Sequence, residues 1–200
     1  MTPIPKSPYE GLAPSAFWKA AVAETSPLAL RDIYRRKWPI QPEERIATAG
    51  SCFAQHVARH LRASGFAVMD VEPPPPGLPA EQIGKFGYGL YSARYGNVYT
   101  TRQLLQLVRE AAGTWAPQDY AWPMGDRFID AFRPAVEPEG LDSPQDVALH
   151  RAHHVARVRD MFQQMDVLIF TLGLTEAWRD RVTGTVYPTA PGTVAGRFDP

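Results

Sequence analysis

Ser51 and Cys52 place a hydroxyl and a thiol side by side in Arg45-Ile-Ala-Thr-Ala-Gly-Ser-Cys-Phe-Ala54, where the hydrophobic pattern changes period. Before them, Ile46 to Ala49 are small or apolar, as in a buried strand. After them, Phe53, Val57 and Leu61 recur every fourth residue with Ala54 and Ala58 beside them, one apolar face of a helix. Gly50 supplies the sharp turn between, because it lacks the Cβ that forbids unusual backbone angles. The pair therefore opens a helix at the mouth of a strand-turn-helix unit. Unpaired backbone N–H groups and the positive end of the helix dipole converge there. A nucleophile so placed can be activated, and an oxyanion beside it can be held. Serine is also a favoured helix N-cap, which is a purely structural use of the same position.

The elements that must carry this unit follow from the rest of the pattern. The strand at 45–50 and the helix at 52–63, stopped by Gly65, lead into Phe66-Ala-Val-Met-Asp-Val71, which reads as a second buried strand. Together they form a right-handed βαβ unit. Pro73 to Pro76 make a stiff extended spacer. Residues 84–99 are rich in glycine and tyrosine and read as a loop. Thr100-x-x-Gln103 resembles a capping box opening a helix with Leu104, Leu105, Leu107 and Val108, ended by Gly113. Residues 114–142 read as an ordered insertion with a short strand near 127–131. Ser143-Pro144 starts a helix to about Met165 that buries Val147, Val155, Val158, Phe162 and Met165. Asp166-Val-Leu-Ile-Phe-Thr-Leu172 is then a central strand, apolar on both faces. Trp178–Val182 and Thr185–Tyr187 flank Thr183-Gly184 as a hairpin.

The N-terminal 43 residues read as an arm packing on the main domain, residues 44–200. Residues 1–13 are irregular and Pro-rich. Short helices are expected over 16–22 and 27–37, with Phe17, Trp18 and Trp38 as anchors on the main domain. The expected fold class is α/β, a flavodoxin-like, three-layer parallel sheet with a hairpin after its third strand. Such a sheet wants about five parallel strands, and three are readable. The chain is therefore expected to be the front portion of a longer domain.

Charge and cysteine content narrow the function classes. Lys plus Arg and Asp plus Glu number 21 each in the 200 residues, so no basic field exists to attract nucleic acid or anionic lipid. A single cysteine excludes an internal disulfide and a multi-cysteine zinc site. No metal or cofactor is expected. No apolar run approaches the ~20 residues that span a bilayer, and no signal-peptide pattern opens the chain. A soluble, cytoplasmic protein is the expectation, with no membrane partner.

Gly50-Ser-Cys-Phe-Ala54 spells the signature of the GSCFA family, a branch that resembles the SGNH/GDSL hydrolases. Tyr95-Gly-Asn-Val-Tyr-Thr-Thr101 and Phe170-Thr-Leu-Gly-Leu-Thr-Glu-Ala-Trp178 also look like that family and come in the expected order. The resemblance covers the chain from about Ala16 onward. It implies an acyl-ester hydrolase or O-acyltransferase working through a covalent acyl-enzyme, with an acylated carbohydrate or small alcohol as substrate. Matching Gly50 to the glycine of the parent Gly-Asp-Ser-Leu motif makes Cys52 the nucleophile. Matching serine on serine makes it Ser51. A helix N-terminus favours a thiolate, whereas precedent among related enzymes favours the hydroxyl, so both stay open.

Asn97, in the Tyr95-Gly-Asn loop, could offer its amide to an oxyanion, though Asn after Gly is also an ordinary turn former. Gly173-Leu-Thr-Glu176 lies where the parent family has Gly-x-Asn-Asp. Thr175 replaces that Asn, so its donor becomes a hydroxyl, with Asn97 as the compensating amide; Glu176 would hold a loop or a substrate hydroxyl. His56, His60, His150, His153 and His154 read as surface or boundary residues, with His154 bordering the apolar stripe of its helix. The resemblance puts the catalytic His beyond residue 200, which makes this piece inactive alone. The rival reading is a binding module that uses the helix N-terminus for a phosphate or carboxylate without chemistry.

Overall fold

The structure, a computed structural model, describes residues 7–31 and 33–198. Residues 1–6 of the expected arm, Asp32 within the expected second helix, and residues 199–200 lie outside them. The chain divides into two units, residues 1–40 and 41–200.

In the first unit the two expected α-helices do not form. Pro14–Ala16 and Pro27–Ala29 are single 3-10 turns, and Lys19–Ala23 is one π turn, closed by Glu24 N–H on the Lys19 carbonyl at 2.9 Å. Ile33, Tyr34 and Leu28 are exposed, Leu28 to 97%. A helix of one or two turns with no face buried does not recover its nucleation cost. Phe17, Trp18 and Trp38 are exposed as well.

The second unit is mixed α/β. In chain order it contains β1 (Ile46–Gly50), α1 (Cys52–Ala63), α2 (Ala80–Lys85), α3 (Thr101–Ala111), β2 (Ala121–Met124), β3 (Arg127–Asp130), α4 (Pro144–Gln164), β4 (Val167–Thr171), β5 (Trp178–Arg179) and β6 (Val186–Tyr187). β1 and β4 pair in parallel, from Ile46 opposite Val167 to Gly50 opposite Thr171. β2 with β3 and β5 with β6 form two small antiparallel hairpins. No helix among the described residues is long and apolar enough to cross a membrane.

The expected second parallel strand is reduced to one bridge. Ile46 N–H bonds the Ala67 carbonyl and Met69 N–H bonds the Ile46 carbonyl, both at 2.9 Å. The segment then leaves β1, because Val71 N–H turns to the Ser92 carbonyl. The loop at 91–98 takes the vacated edge instead, with Ser92 N–H on the Thr48 carbonyl and Val98 N–H on the Gly50 carbonyl. The named parallel sheet thus has two strands, not three.

Small side chains let the layers close. Ala47 and Ala49 of β1 and Ala54 of α1 pack with Tyr91, Tyr95 and Val158 in the main core. Gly50 has φ 140°, and a Cβ there would stand 2.4 Å from Thr171 Oγ1 and 2.5 Å from the Thr171 carbonyl oxygen. The glycine is thus required by the close approach of β4 as well as by the turn. A capping box from Thr100 and Gln103 opens α3, and Ser143 caps α4 through Asp146 N–H.

A layer of buried charge lies under the loop at 91–99. His154 on α4 is fully buried, against its expected boundary position, and donates Nδ1–H to Glu72 Oε2 at 2.7 Å. Glu72 Oε2 also accepts from Arg94 N–H at 2.6 Å. Burial and the nearby Arg133 lower the His154 pKa to about 4, outweighing Glu72, so the ring is neutral. Burial would raise Glu72, but His154, Arg94 N–H and Arg133 together bring it down to about 2. Beside this pair, Asp130 accepts from Arg133 at 2.8 Å and from Arg151 at 3.0 Å, and Arg151 also pairs with Glu110. The helical pattern of α4 marks Arg151 and His154 on the same inward face as Val147, Val155 and Val158.

Two measurements test these features. Gly50→Ala is expected to cost about 3 kcal/mol through positive-φ strain and overpacking, seen as a drop of roughly 10 °C in Tm; an unchanged Tm would contradict the close approach. The folded pKa of His154 lies below its ordinary 6.5, so the unfolded chain takes up the proton first and stability falls as pH drops from 6.5 towards 4. Glu72 extends the loss from 4.5 towards 2. Denaturation followed against pH is expected to show the first loss, on the order of 3 kcal/mol, and His154→Gln to flatten it.

Candidate functional site

Ser51 occupies the N-cap of α1 in an extended conformation, yet its hydroxyl does not cap the helix. The side chain turns to β4 instead, with Oγ 3.2 Å from Thr171 Oγ1. Ser51 N–H also reaches the Thr171 carbonyl at 3.2 Å. The hydroxyl is thus buried and engaged, while the first N–H groups of α1 carry no side-chain cap. Such uncapped donors are what a helix N-terminus offers to negative charge.

Cys52, the first residue of α1, is exposed. It lies near the hydroxyls of Tyr91 and Tyr99, and a thiolate there would oppose the ionisation of both. Burial is the larger effect on each tyrosine and pushes its pKa up. Both phenols are therefore protonated donors at neutral pH.

Asn97 reaches the same place from the loop clamped on β1 by Val98 N–H. Its Oδ1 accepts from the Tyr91 hydroxyl at 2.6 Å, and Tyr91 in turn accepts from Gln55 Nε2 at 2.9 Å. Gly173 arrives from the end of β4, held by its N–H on the Tyr99 carbonyl at 3.0 Å. A Cβ at Gly173 would stand 2.7 Å from Ser51 Cβ and 2.9 Å from Tyr99 Cδ1. Gly50, Ser51, Cys52, Asn97 and Gly173 thus gather at the carboxyl end of the β1–β4 pair, where open α/β sheets place their sites.

Thr175 and Glu176 do not join that cluster. Both are exposed, and the Thr175 hydroxyl donates to Glu176 Oε2 at 3.0 Å. Glu176 instead borders a cleft of about 320 Å³ whose walls include Tyr99, Gln103, Leu174, Trp178 and Tyr187. None of the hydrogen bonds among the described residues joins a histidine to Ser51 or Cys52. His56, one turn along α1 from Cys52, is exposed with its ring against Phe53. His154 is committed to Glu72.

Sequence reasoning missed Thr171, Tyr91, Tyr99 and Gln55 as members of the site. Thr171 and Tyr99 lay within segments already singled out, and Gln55 is one helical turn from Cys52. Tyr91 carried no local signal, because only the tertiary path of its loop brings it to Ser51.

No curated protein and no solved structure is significantly similar to the chain. The model of the GSCFA family matches residues 45–199, spanning β1 to β6 and the helices between them. The chain therefore belongs to the GSCFA family, and its signature pentapeptide Gly50–Ala54 is the turn on which the candidate site is built.

Proposed function

We propose that this GSCFA protein is an SGNH-type acyl-ester hydrolase or O-acyltransferase with Cys52 as nucleophile. One observation carries the choice: the Ser51 hydroxyl is buried against Thr171, whereas the adjacent thiol is exposed at an uncapped helix N-terminus. The order Val68–β1–β4 supports a flavodoxin-like sheet with its site at the switch point. In this reading the Cys52 thiol gives up its proton to solvent, its sulfur attacks an ester carbonyl carbon, and the carbon–oxygen bond to the alcohol breaks as the departing oxygen takes up a proton. The resulting thioester passes its acyl group to water or to an acceptor hydroxyl. Backbone N–H groups of α1 and the Asn97 amide face the developing oxyanion. The cleft beside Tyr99 and Glu176, with aromatic walls and two polar side chains, suits an acylated sugar or small alcohol ester.

That no described histidine bonds to Ser51 or Cys52 favours a second reading, in which the α1 N-terminus binds an anion without chemistry. The two readings part on covalent labelling. p-Nitrophenyl acetate is activated enough to acylate a thiolate without a histidine base, so labelling tests the nucleophile apart from turnover; intact mass and peptide mapping are expected to find the acyl group on Cys52. Cys52→Ala should abolish the adduct, while Ser51→Ala slows it only a few-fold and costs about 1 kcal/mol of stability. The reverse pattern assigns Ser51. An unlabelled protein that binds inorganic phosphate, with binding weakened by blocking Cys52, supports the second reading.

Within the acyl-transfer reading, Gly173→Ala should also impair the site. Its added methyl would crowd Ser51 and Tyr99, and misplacement of about 1 Å can cost ~100-fold in rate. An acylation rate within twofold of wild type would show that the β4 loop has room to spare.

A further inference from the structure

Asn97 can present either its carbonyl oxygen or its amide N–H groups to Cys52, and only the second arrangement suits an oxyanion. A carboxamide in a turn has no intrinsic preference between the two faces. Its neighbours must set the choice.

We infer that Tyr91 is a positioning residue that fixes the orientation of the Asn97 carboxamide, turning its N–H groups towards the thiol of Cys52; this rests on the acyl-transfer reading above. Tyr91 is 2% exposed, so its hydroxyl has little access to water. Gln55 Nε2 donates to that hydroxyl at 2.9 Å, and Tyr91's own hydrogen must go to another acceptor. Asn97 Oδ1 is nearest at 2.6 Å, and the Ser51 carbonyl is second at 3.3 Å. With Oδ1 held by Tyr91, the amide nitrogen lies on the opposite side of the carboxamide, and Asn97 also acts on the Tyr99 phenol, whose ionisation it favours against the larger effect of burial. Reversing the carboxamide would take away the acceptor at 2.6 Å and leave the Tyr91 hydrogen only the Ser51 carbonyl at 3.3 Å. Burial also raises the Tyr91 pKa, which keeps its donating hydrogen in place.

The relay starts on α1. Gln55 sits three residues after Cys52, so both project from one side of the helix. The donor sequence runs from Gln55, on the helix that carries Cys52, through Tyr91 to Asn97. The Tyr91 ring packs on Tyr95 at 5.7 Å between centroids, which separates its packing role from that of its hydroxyl.

Tyr91→Phe keeps the ring and removes the hydroxyl. It is expected to slow acylation by p-nitrophenyl acetate about 10–100-fold, part of the roughly 100-fold or more that one oxyanion donor supplies. In an Asn97→Ala background the same change should cost less than about twofold, because its target is gone. Equal losses in both backgrounds would mark a merely structural residue and overturn the inference. A second readout needs no chemistry: the ¹⁵N side-chain amide signals of Asn97 should shift or broaden in Tyr91→Phe and move less in Gln55→Met. Signals unchanged in both variants also overturn it. If wild type is never acylated yet these signals respond, the acyl-transfer reading fails while the orientation by Tyr91 stands.

Discussion

The approach of β1 to β4 at Gly50 and Thr171 is the constraint on which the rest of the site depends. Two parallel strands end side by side, and the Thr171 hydroxyl fills the space a β-carbon at Gly50 would need. From that contact the roles of the next residues follow. Ser51 emerges beside Thr171 and spends its hydroxyl there, so α1 begins without the cap its sequence promises. Cys52, one residue on, is then left outward at the helix end. A serine that looks like an N-cap is thus a strand-to-strand tie.

The second requirement is to bring residues 91–99 against this turn. That loop has almost no regular structure, and its order comes from what lies beneath it. Glu72 receives Arg94 N–H and the His154 ring, while the Arg94 side chain bonds the carbonyl of Phe86 and the carboxylate of Glu137. The Tyr95 hydroxyl bonds the Thr48 carbonyl within β1 itself. Irregular backbone can be held rigid this way when each buried donor has a partner. The loop is therefore part of the core.

The sequence made the strand-turn-helix at 46–63, the capping box at Thr100 and the start of α4 at Ser143 legible, because each depends on local spacing. The gathering of Gly50, Asn97 and Gly173 was legible through the family resemblance and the rule that open α/β sheets carry sites at the carboxyl ends of their strands, not through local spacing. Whatever depended on long-range pairing was hidden. Residues 66–71 have the composition of a strand, yet Ser92 draws Val71 away from β1. His154 read as a boundary residue because nothing local announces that Glu72, 82 positions earlier, waits for it. The arm helices failed for the opposite reason: their local pattern was adequate, but Leu28 and Tyr34 remain exposed.

The charged layer around Arg151 couples parts of the chain that are far apart in sequence. Asp130 belongs to the β2–β3 hairpin, Glu110 to α3 and Arg151 to α4, and all three are largely withdrawn from water. Removing one member strands the others as buried charges, a far larger penalty than the net value of the intact set. Substitution in this layer would then be concerted: Asp130 could become apolar only if Arg133 and Arg151 changed too. Across the family, these positions are expected to be inherited as a block, all ionic or all apolar. A hairpin grafted here from a distant member would succeed only if its charge pattern came with it.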